Sequence, residues 1–490
     1  MKESLQQIVG FRMDKLRALR EKGMDPYPSK SRRSFDIADF LMKFPSLKKG
    51  RKKITLAGRL MSWREFGGLT FGVLKDFSGE VQVMFKKDEL GVAAYKDLGL
   101  IDVGDILQLT GNAFTTKKGE PTLLISRMTL LAKSLRPLPE KWHGLTDQET
   151  RFRQRYLDFL FNKQVKERFI LRHRLVQSIR NFLIKQDFIE VDTPALQPLP
   201  GGALATPFKT HYDAPDTDVY LRIAPELYLK RLIIGGFEKV FEFARVFRNE
   251  GVSTHHLQDF TMLEFYQAYA TYEDLMKLTE KMFKDVFKEV LGTTKVKYGK
   301  HTIDFRTPWP KKSMRELVKK ETSIDINEFP TVNLLDSEIR RKKIKLTYTG
   351  KAGRGKLIDE LYKEKVRPKL INPVFLIDHP VDLSPLAKRK EFDESKVQRF
   401  QLVVAGTEVV NAFTELNDPL DQRERFKEQA RQKKAGDVEA HLMDEDFIKA
   451  LEHGMPPTAG WGMGIDRFLA VLTDADSIRE AVMFPFVKDK

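Results

Sequence analysis

The sequence predicts a multidomain protein, a small N-terminal β-barrel followed by a larger region in which long helices alternate with strands. Three observations carry this. The length of 490 residues exceeds what one core supports, so two or three domains are expected. Between Ile54 and Leu131, short apolar runs are separated by turns containing glycine. Further on, Phe241 to Tyr269 holds two aromatic-rich runs flanking an eleven-residue polar segment, Asn249 to Asp259. That pattern reads as two strands joined by a long loop.

Taken in order, residues 4–22 place Ile8, Phe11, Leu16 and Leu19 between Arg12, Lys15, Arg17, Arg20 and Lys22, ahead of Gly23 and Pro26. This predicts a basic amphipathic helix within an N-terminal extension over 1–50. It is either a solvated helix packed on a neighbour or an electrostatic arm for RNA. Strands are expected at 54–63, 69–76, 80–86, 105–114 and 121–131, with turns at Gly67-Gly68, Ser78-Gly79 and Lys118-Gly119. Five short strands with such turns suggest an oligonucleotide-binding (OB) barrel over 51–135. Such barrels stack bases on strand aromatics, a part open to Phe71 with Gln82 and Glu120, although spacing alone favours Phe71 as a core residue. Leu135 to Pro139 and the polar stretch after it predict a linker at 136–150. The last region, 151–490, carries a basic stretch at about 310–370 with Arg340 to Lys345 and Gly350 to Gly355, which reads as an inserted helical piece with a mobile loop.

Composition narrows the class. Hydrophobic residues make up 41% of the chain, enough for globular folding. Cysteine is absent, which excludes disulfides and thiolate metal sites and suits a reducing compartment. The N-terminal residues lack an apolar signal segment, and no run approaches membrane-spanning length. The expectation is a cytoplasmic protein with no membrane partner. The net charge of +16 fits either a Lys-rich solubilising surface or a polyanionic partner.

Side chains two apart on a strand share a face. Phe260, Met262, Glu264 and Tyr266 therefore line one face of the second strand, and Arg248 ends the first. A ring, a carboxylate and a phenol beside an arginine describe a pocket better than a core. Gly460-Trp-Gly-Met-Gly-Ile-Asp-Arg467 runs alternating glycines into an amphipathic helix, allowing a ligand to approach the backbone. A helix over about 165–186 followed by Asp187 to Leu196, with Pro194, forms a third element.

These elements, in this order, resemble the three signature motifs of class II aminoacyl-tRNA synthetases. Trp142 to Asp158, Pro225 to Lys230 and Pro456 to Gly460 look like the lysyl-tRNA synthetases within that class. The resemblance runs the full length. It implies an OB-fold anticodon-binding domain and an α+β catalytic domain with an antiparallel sheet flanked by helices. It also implies a homodimer, whose partners are lysine, ATP and lysine tRNA, with Mg²⁺ as cofactor. The reaction implied is ligation: lysine and ATP form lysyl-adenylate, and the lysyl group passes to the 3′ end of the tRNA.

The resemblance also assigns roles. Arg248 would hold the α-phosphate and stabilise the charge that builds there. Phe260 and Arg467 would sandwich the adenine, with Glu250 at its edge and His256 near the outer phosphates, and Gly462 and Glu408 would also belong to the ATP site. Glu264 and Glu415 would face each other across the pocket around the substrate ammonium, with Tyr266 adding a hydroxyl. Glu226, at a helix start after Pro225, would take the α-amino group, and Gly202, Asn411 and Phe413 complete the pocket. On spacing alone, Phe413 is equally a core residue; the plainer readings are a helix-start residue for Glu226, a loop histidine for His256 and an exposed strand carboxylate for Glu264, the last two disfavoured, Glu264's by its apolar neighbours. Phe71, Gln82 and Glu120 would contact the anticodon.

Departures from the family pattern concentrate in four places. Glu408 matches one of two acidic magnesium positions, but Gln401 stands at the other. An amide oxygen can coordinate yet brings no charge, so the number of ions is open. Glu408 and Asn411 would face opposite sides of a regular strand, so both reach the site only if the strand bulges. Asp187 and Ala412 stand where the family usually has glycine. The loop His255 to Asp259 differs from the usual Arg-His-Asn-Pro-Glu and could alter how it meets the acceptor end of tRNA. A protein-lysylating paralogue is the second enzymatic reading, disfavoured by the barrel. An RNA-binding or regulatory protein with a weakened magnesium site is the third, resting on Gln401.

Overall fold

A computed structural model describes residues 4–139, 147–251, 253–254, 256–347, 353–434 and 442–488. The centre of the expected linker at 136–150, with Trp142 to Thr146, lies outside the described residues, as do His255 and the start of Gly350 to Gly355. The chain forms two compact units, Met1–Thr146 and Asp147–Lys490.

In the first unit, strands Ile54–Phe66, Leu69–Lys75, Glu80–Lys86, Ile106–Thr115 and Pro121–Ala132 close a barrel in the order first, second, third, fifth, fourth. The third and fifth run parallel and the other pairs antiparallel. Alternation drives closure: Thr70, Gly72 and Leu74 are buried while Leu69, Phe71 and Val73 are not. Gly111 is required by close approach, because a Cβ there would lie 1.9 Å from the Leu124 carbonyl oxygen. The helix Leu5–Glu21 starts with a reciprocal Ser4–Gln7 cap. Leu19 joins the barrel core together with Ile37, Phe40 and Phe44. Arg12, one of the basic residues of that helix, is itself buried and donates to the Ser134, Arg136 and Val103 carbonyls.

The second unit is built on an eight-stranded sheet. Its order is Lys311–Ser313, Val374–Ile377, Arg399–Val404, Thr407–Thr414, Thr458–Gly464, Asp259–Ala268, Lys239–Phe247, Ile189–Glu190. The six central strands are antiparallel, and each edge strand pairs in parallel, so the sheet is mixed only at its borders. One face carries Phe241, Leu263, Phe265, Trp461, Val410 and Leu402 into the main core. Helices Lys163–Lys185, Tyr272–Val290 and Ile465–Leu472 cover that face with apolar sides such as Leu175, Phe283 and Phe468. Phe265 and Trp461 stack at 4.7 Å, and the Trp461 indole donates to Thr279 at 2.9 Å. Full burial of each such ring stabilises the fold by roughly 1.5–3 kcal/mol.

The helix at 163–185 feeds the first edge strand through Asp187, whose φ of +65° is left-handed. Glycine is strain-free in that conformation, and Asp is among the few other residues that tolerate it. The basic stretch at about 310–370 holds helices Met314–Thr322, Val332–Arg341 and Arg354–Lys365 around a core of their own, Leu317, Leu335, Ile339 and Leu361 among its members.

Candidate active site

The face opposite the main core is polar, and register explains why. Glu242 pairs with Glu264, Glu264 with Gly462, Gly462 with Asn411, and Asn411 with Gln401. Positions in one such row present their side chains to one face. Tyr266, Gly460, Phe413 and Arg399 form the parallel row two residues along. The glycines leave a trough between the flanking side chains, and a cavity of about 540 Å³ occupies it.

Glu408 reaches the same face through a bulge. Leu402 pairs with Val410 but Val403 with Glu408, which leaves Val409 as an extra residue. Val409 and Val410 both enter the hydrophobic core, so Glu408 and Asn411 emerge together on the cavity side. Gln401 Nε2 then donates to Glu408 Oε2 at 2.7 Å.

One end of the cavity is acidic. Glu226, in the first turn of helix Glu226–Ile234, is buried beneath Gly202. Gly202 has φ +85°, and a Cβ there would lie 2.8 Å from the Glu226 Cβ, so no side chain fits. Glu264 is buried and accepts from the Tyr266 hydroxyl at 3.0 Å. Burial, reinforced by Glu226, pushes the Glu264 carboxyl up to about 8. Burial also raises the Tyr266 phenol well above its usual value, with the surrounding carboxylates adding to the effect. Phe413 lines the same end, which gives it a place in the cavity wall besides its packing on the neighbouring core.

Glu415 departs from the expectation that it faces Glu264 across open space. It is fully buried beneath Gly460, outside the cavity lining, where a Cβ at Gly460 would lie 2.1 Å from its Oε1 and 2.4 Å from the Tyr266 ring. Its Oε2 lies 2.5 Å from Lys230 Nζ, which also donates to Glu226 Oε1 at 2.6 Å. Burial opposes charge on Lys230, but Glu226 and Glu415 outweigh it and hold the ammonium protonated. One ammonium serves two carboxylates here, while Glu264 has the neutral phenol as its hydrogen-bond partner. Lys230 was legible in the sequence as the fourth residue after Glu226, one helical turn on.

The other end is basic. Arg248 lies over the Phe260 ring at 5.1 Å and directs its Nε and Nη2 towards the Ile223 carbonyl. In this structure the cation against Phe260 is therefore Arg248. Arg467 instead donates to the Glu408 carbonyl at 3.3 Å. Glu250 and His256 line the rim, 3.9 Å apart, and His256 Nδ1 lies 2.9 Å from Ser253 Oγ. Arg399 belongs instead to the row of Tyr266 and Phe413 at the acidic end, where it donates to Asn411 Oδ1 at 2.8 Å and to Ser384 Oγ at 2.9 Å. The sequence reading missed Arg399, although its spacing of two from Gln401 put it on the same strand face. It also missed His379, which lines the cavity and whose pKa burial drives well below its usual value.

In the barrel, Phe71 is half-buried and lies outside the core cluster, so the assignment favoured by spacing alone does not hold. Its ring meets Phe66 edge-on at 6.2 Å. Val73, two residues on, pairs with Gln82, which puts Phe71 and Gln82 on one face. Thr122 Oγ1 donates to Gln82 Oε1 at 2.8 Å and approaches the Glu120 backbone carbonyl at 3.1 Å, while Glu120 itself is exposed.

Comparison with known proteins accounts for both units. Residues 147–488 match the family model for class II tRNA synthetases (D, K and N), and 54–131 match that for an OB-fold nucleic acid binding domain. This chain belongs to the class II tRNA synthetases. The lysine–tRNA ligase of Pelotomaculum thermopropionicum is 46% identical over 488 residues, covering 100% of this chain and 96% of that protein. The corresponding ligase of Carboxydothermus hydrogenoformans is 46% identical, covering 100% and 99%. That of Bacillus subtilis is 43% identical over 493 residues, covering 100% and 98%. Among the described residues of this synthetase, no helix is long and apolar enough to cross a membrane.

Proposed function

We propose that this synthetase is a lysine–tRNA ligase that activates lysine with ATP and transfers the lysyl group to the 3′ end of lysine tRNA. The observation that carries the reading is the polarised cavity, with buried carboxylates at one end and guanidinium groups at the other. Lysine places two ammonium groups among the carboxylates, and a triphosphate lies among the arginines. An aspartate side chain would meet repulsion at the acidic end. The full-length similarity to lysine–tRNA ligases supports the same substrate.

In this reading the lysine carboxylate is the nucleophile, so no side-chain nucleophile is needed. It attacks the α-phosphorus, the bond to the bridging oxygen breaks, and pyrophosphate leaves with its electron pair. Arg248 neutralises the charge that builds on the α-phosphate oxygens. Phe260 provides a face for the adenine, and Arg467 closes the other side once its contact with the Glu408 carbonyl is exchanged. Glu250 is assigned to the adenine edge, Gly462 to the floor and His256 to the outer phosphates. Glu264, Tyr266 and Glu226 receive the lysine ammonium groups, while Gly202, Asn411 and Phe413 shape the pocket. Glu415 acts from beneath, through Lys230 and Gly460. In the barrel, Phe71 stacks on an anticodon base, and Gln82 and Glu120 read its edges.

Glu408 supplies a carboxylate and Gln401 an amide, whose nitrogen donates to Glu408. This set fits Mg²⁺, which takes one or two carboxylates together with substrate phosphates. When bound, the ion neutralises phosphate charge. The edge strand at 189–190 and the exposed Ile184, Ile189 and Leu196 around it support a homodimer through this region. A tRNA substrate suits the cytoplasm.

The test is amino-acid-dependent ATP–pyrophosphate exchange across the standard amino acids with magnesium varied. Exchange with lysine alone is expected. Exchange with another amino acid would mean that the acidic end has been misread, and no exchange at any magnesium level would overturn the ligase reading.

A further inference from the structure

The inserted helix Arg354–Lys365 contributes to the cavity in a way that none of the signature motifs accounts for. Leu357, Leu361 and Tyr362 face the core of the insertion. Asp359 and Lys363, one turn apart, line the cavity, and so does Arg367 just beyond the helix end. Lys363 Nζ is 2.6 Å from Asp359 Oδ2. Burial opposes its charge, but Asp359, Glu360 and Glu408 outweigh burial and hold its pKa above the usual value. The ammonium is therefore a permanent cation within reach of the Glu408 field. Arg367 Nε is buried and has no hydrogen-bond partner among the described residues. A buried guanidinium N–H without an acceptor is costly, and in a cavity wall it points to a ligand that supplies one.

We propose that Lys363 and Arg367 form a subsite for the outer phosphates of the nucleoside triphosphate, and for the pyrophosphate that leaves. Arg248 and Arg467 come from the sheet and the helix after it, whereas this second pair of cations comes from the insertion. The cavity has one carboxylate at the Glu408–Gln401 pair. Gln401 adds no charge there, so cations from the protein carry a larger share of the phosphate neutralisation. Arg367 presents planar N–H donors suited to phosphate oxygens, and Lys363 acts as a point charge that can leave Asp359 for the ligand. The inference rests on the reading of the cavity as an ATP site.

The experiment compares binding of ATP, inorganic pyrophosphate and AMP to the full-length protein and to the Lys363→Gln/Arg367→Gln double variant, by calorimetry at fixed magnesium. Affinity for ATP and pyrophosphate should fall about tenfold or more, the loss expected for a charge-assisted contact, while AMP stays within about twofold. The Lys363→Arg/Arg367→Lys variant, which keeps both charges, should recover most of the loss. Equal weakening of ATP and AMP, or no weakening of either, would overturn the subsite. Thermal midpoints are measured in parallel, and Arg367→Gln alone is used if the double variant melts early. Lysine-dependent exchange by the unmodified protein is recorded alongside. Its absence would refute the ligase reading while leaving the ATP-against-AMP comparison to judge the subsite.

Discussion

Lys230 Nζ and Glu415 Oε2 lie 2.5 Å apart with neither side chain exposed to solvent. The pair joins the helix Glu226–Ile234 to the residue that follows strand Thr407–Thr414, and Glu226 shares the same ammonium. Removing the cation leaves carboxylates buried without their partner. Lys230→Met should therefore destabilise the protein by roughly 3–5 kcal/mol. Urea unfolding at neutral pH checks this, and Lys230→Met/Glu415→Gln should recover part of the loss. If single and double variants unfold together, the pair is not the source.

Glu264→Gln removes the carboxylate proposed to meet a substrate ammonium and keeps the shape. Lysine affinity should drop by about 1.5–3 kcal/mol, roughly ten- to 150-fold, as for a hydrogen bond to a charged group. ATP affinity should change little. Equal losses for both ligands would take Glu264 out of the lysine site.

Protonation of the same residue predicts a pH dependence. The carboxyl stands at about 8 in the free protein, and a bound ammonium favours the ionised form and lowers it. Lysine affinity should therefore weaken as pH falls below about 8, by at most about tenfold per unit. In Glu264→Gln this slope should flatten. A slope unchanged in the variant would assign the titration to another group.

Gln401→Glu replaces the amide that donates to Glu408 with a second carboxylate. The magnesium concentration for half-maximal exchange should move down, since carboxylates bind the ion better than amides. An unchanged magnesium midpoint would mean that Gln401 stands outside the ion's coordination.

Phe71→Ala should impair tRNA charging while sparing adenylate formation, because stacking on a base contributes about 1–3 kcal/mol. The ring is half-buried and outside the barrel core, so the fold should persist. A charging rate equal to that of the unmodified protein would return Phe71 to a packing role.

Local pattern was enough to read the barrel, the hairpin and the row Phe260, Met262, Glu264 and Tyr266. Strand alternation is set by backbone geometry and is visible in one dimension, and glycines mark where side chains must be absent. The same alternation puts Arg399 on the strand face of Gln401. Three features needed the folded chain. The bulge at Val409 is a two-against-one count between strands, and no single strand encodes it. Glu415 follows the strand that bears Asn411 and Phe413, yet it lies below the cavity, paired with Lys230 from the helix Glu226–Ile234. Lys363 and Arg367 read only as part of a basic insertion until the helix packed Leu357 and Leu361 inward and turned them to the cavity. Sequence determined which residue types sit on which faces. Tertiary structure decided which charges meet, because a buried ion pair depends on distances between elements far apart in the chain.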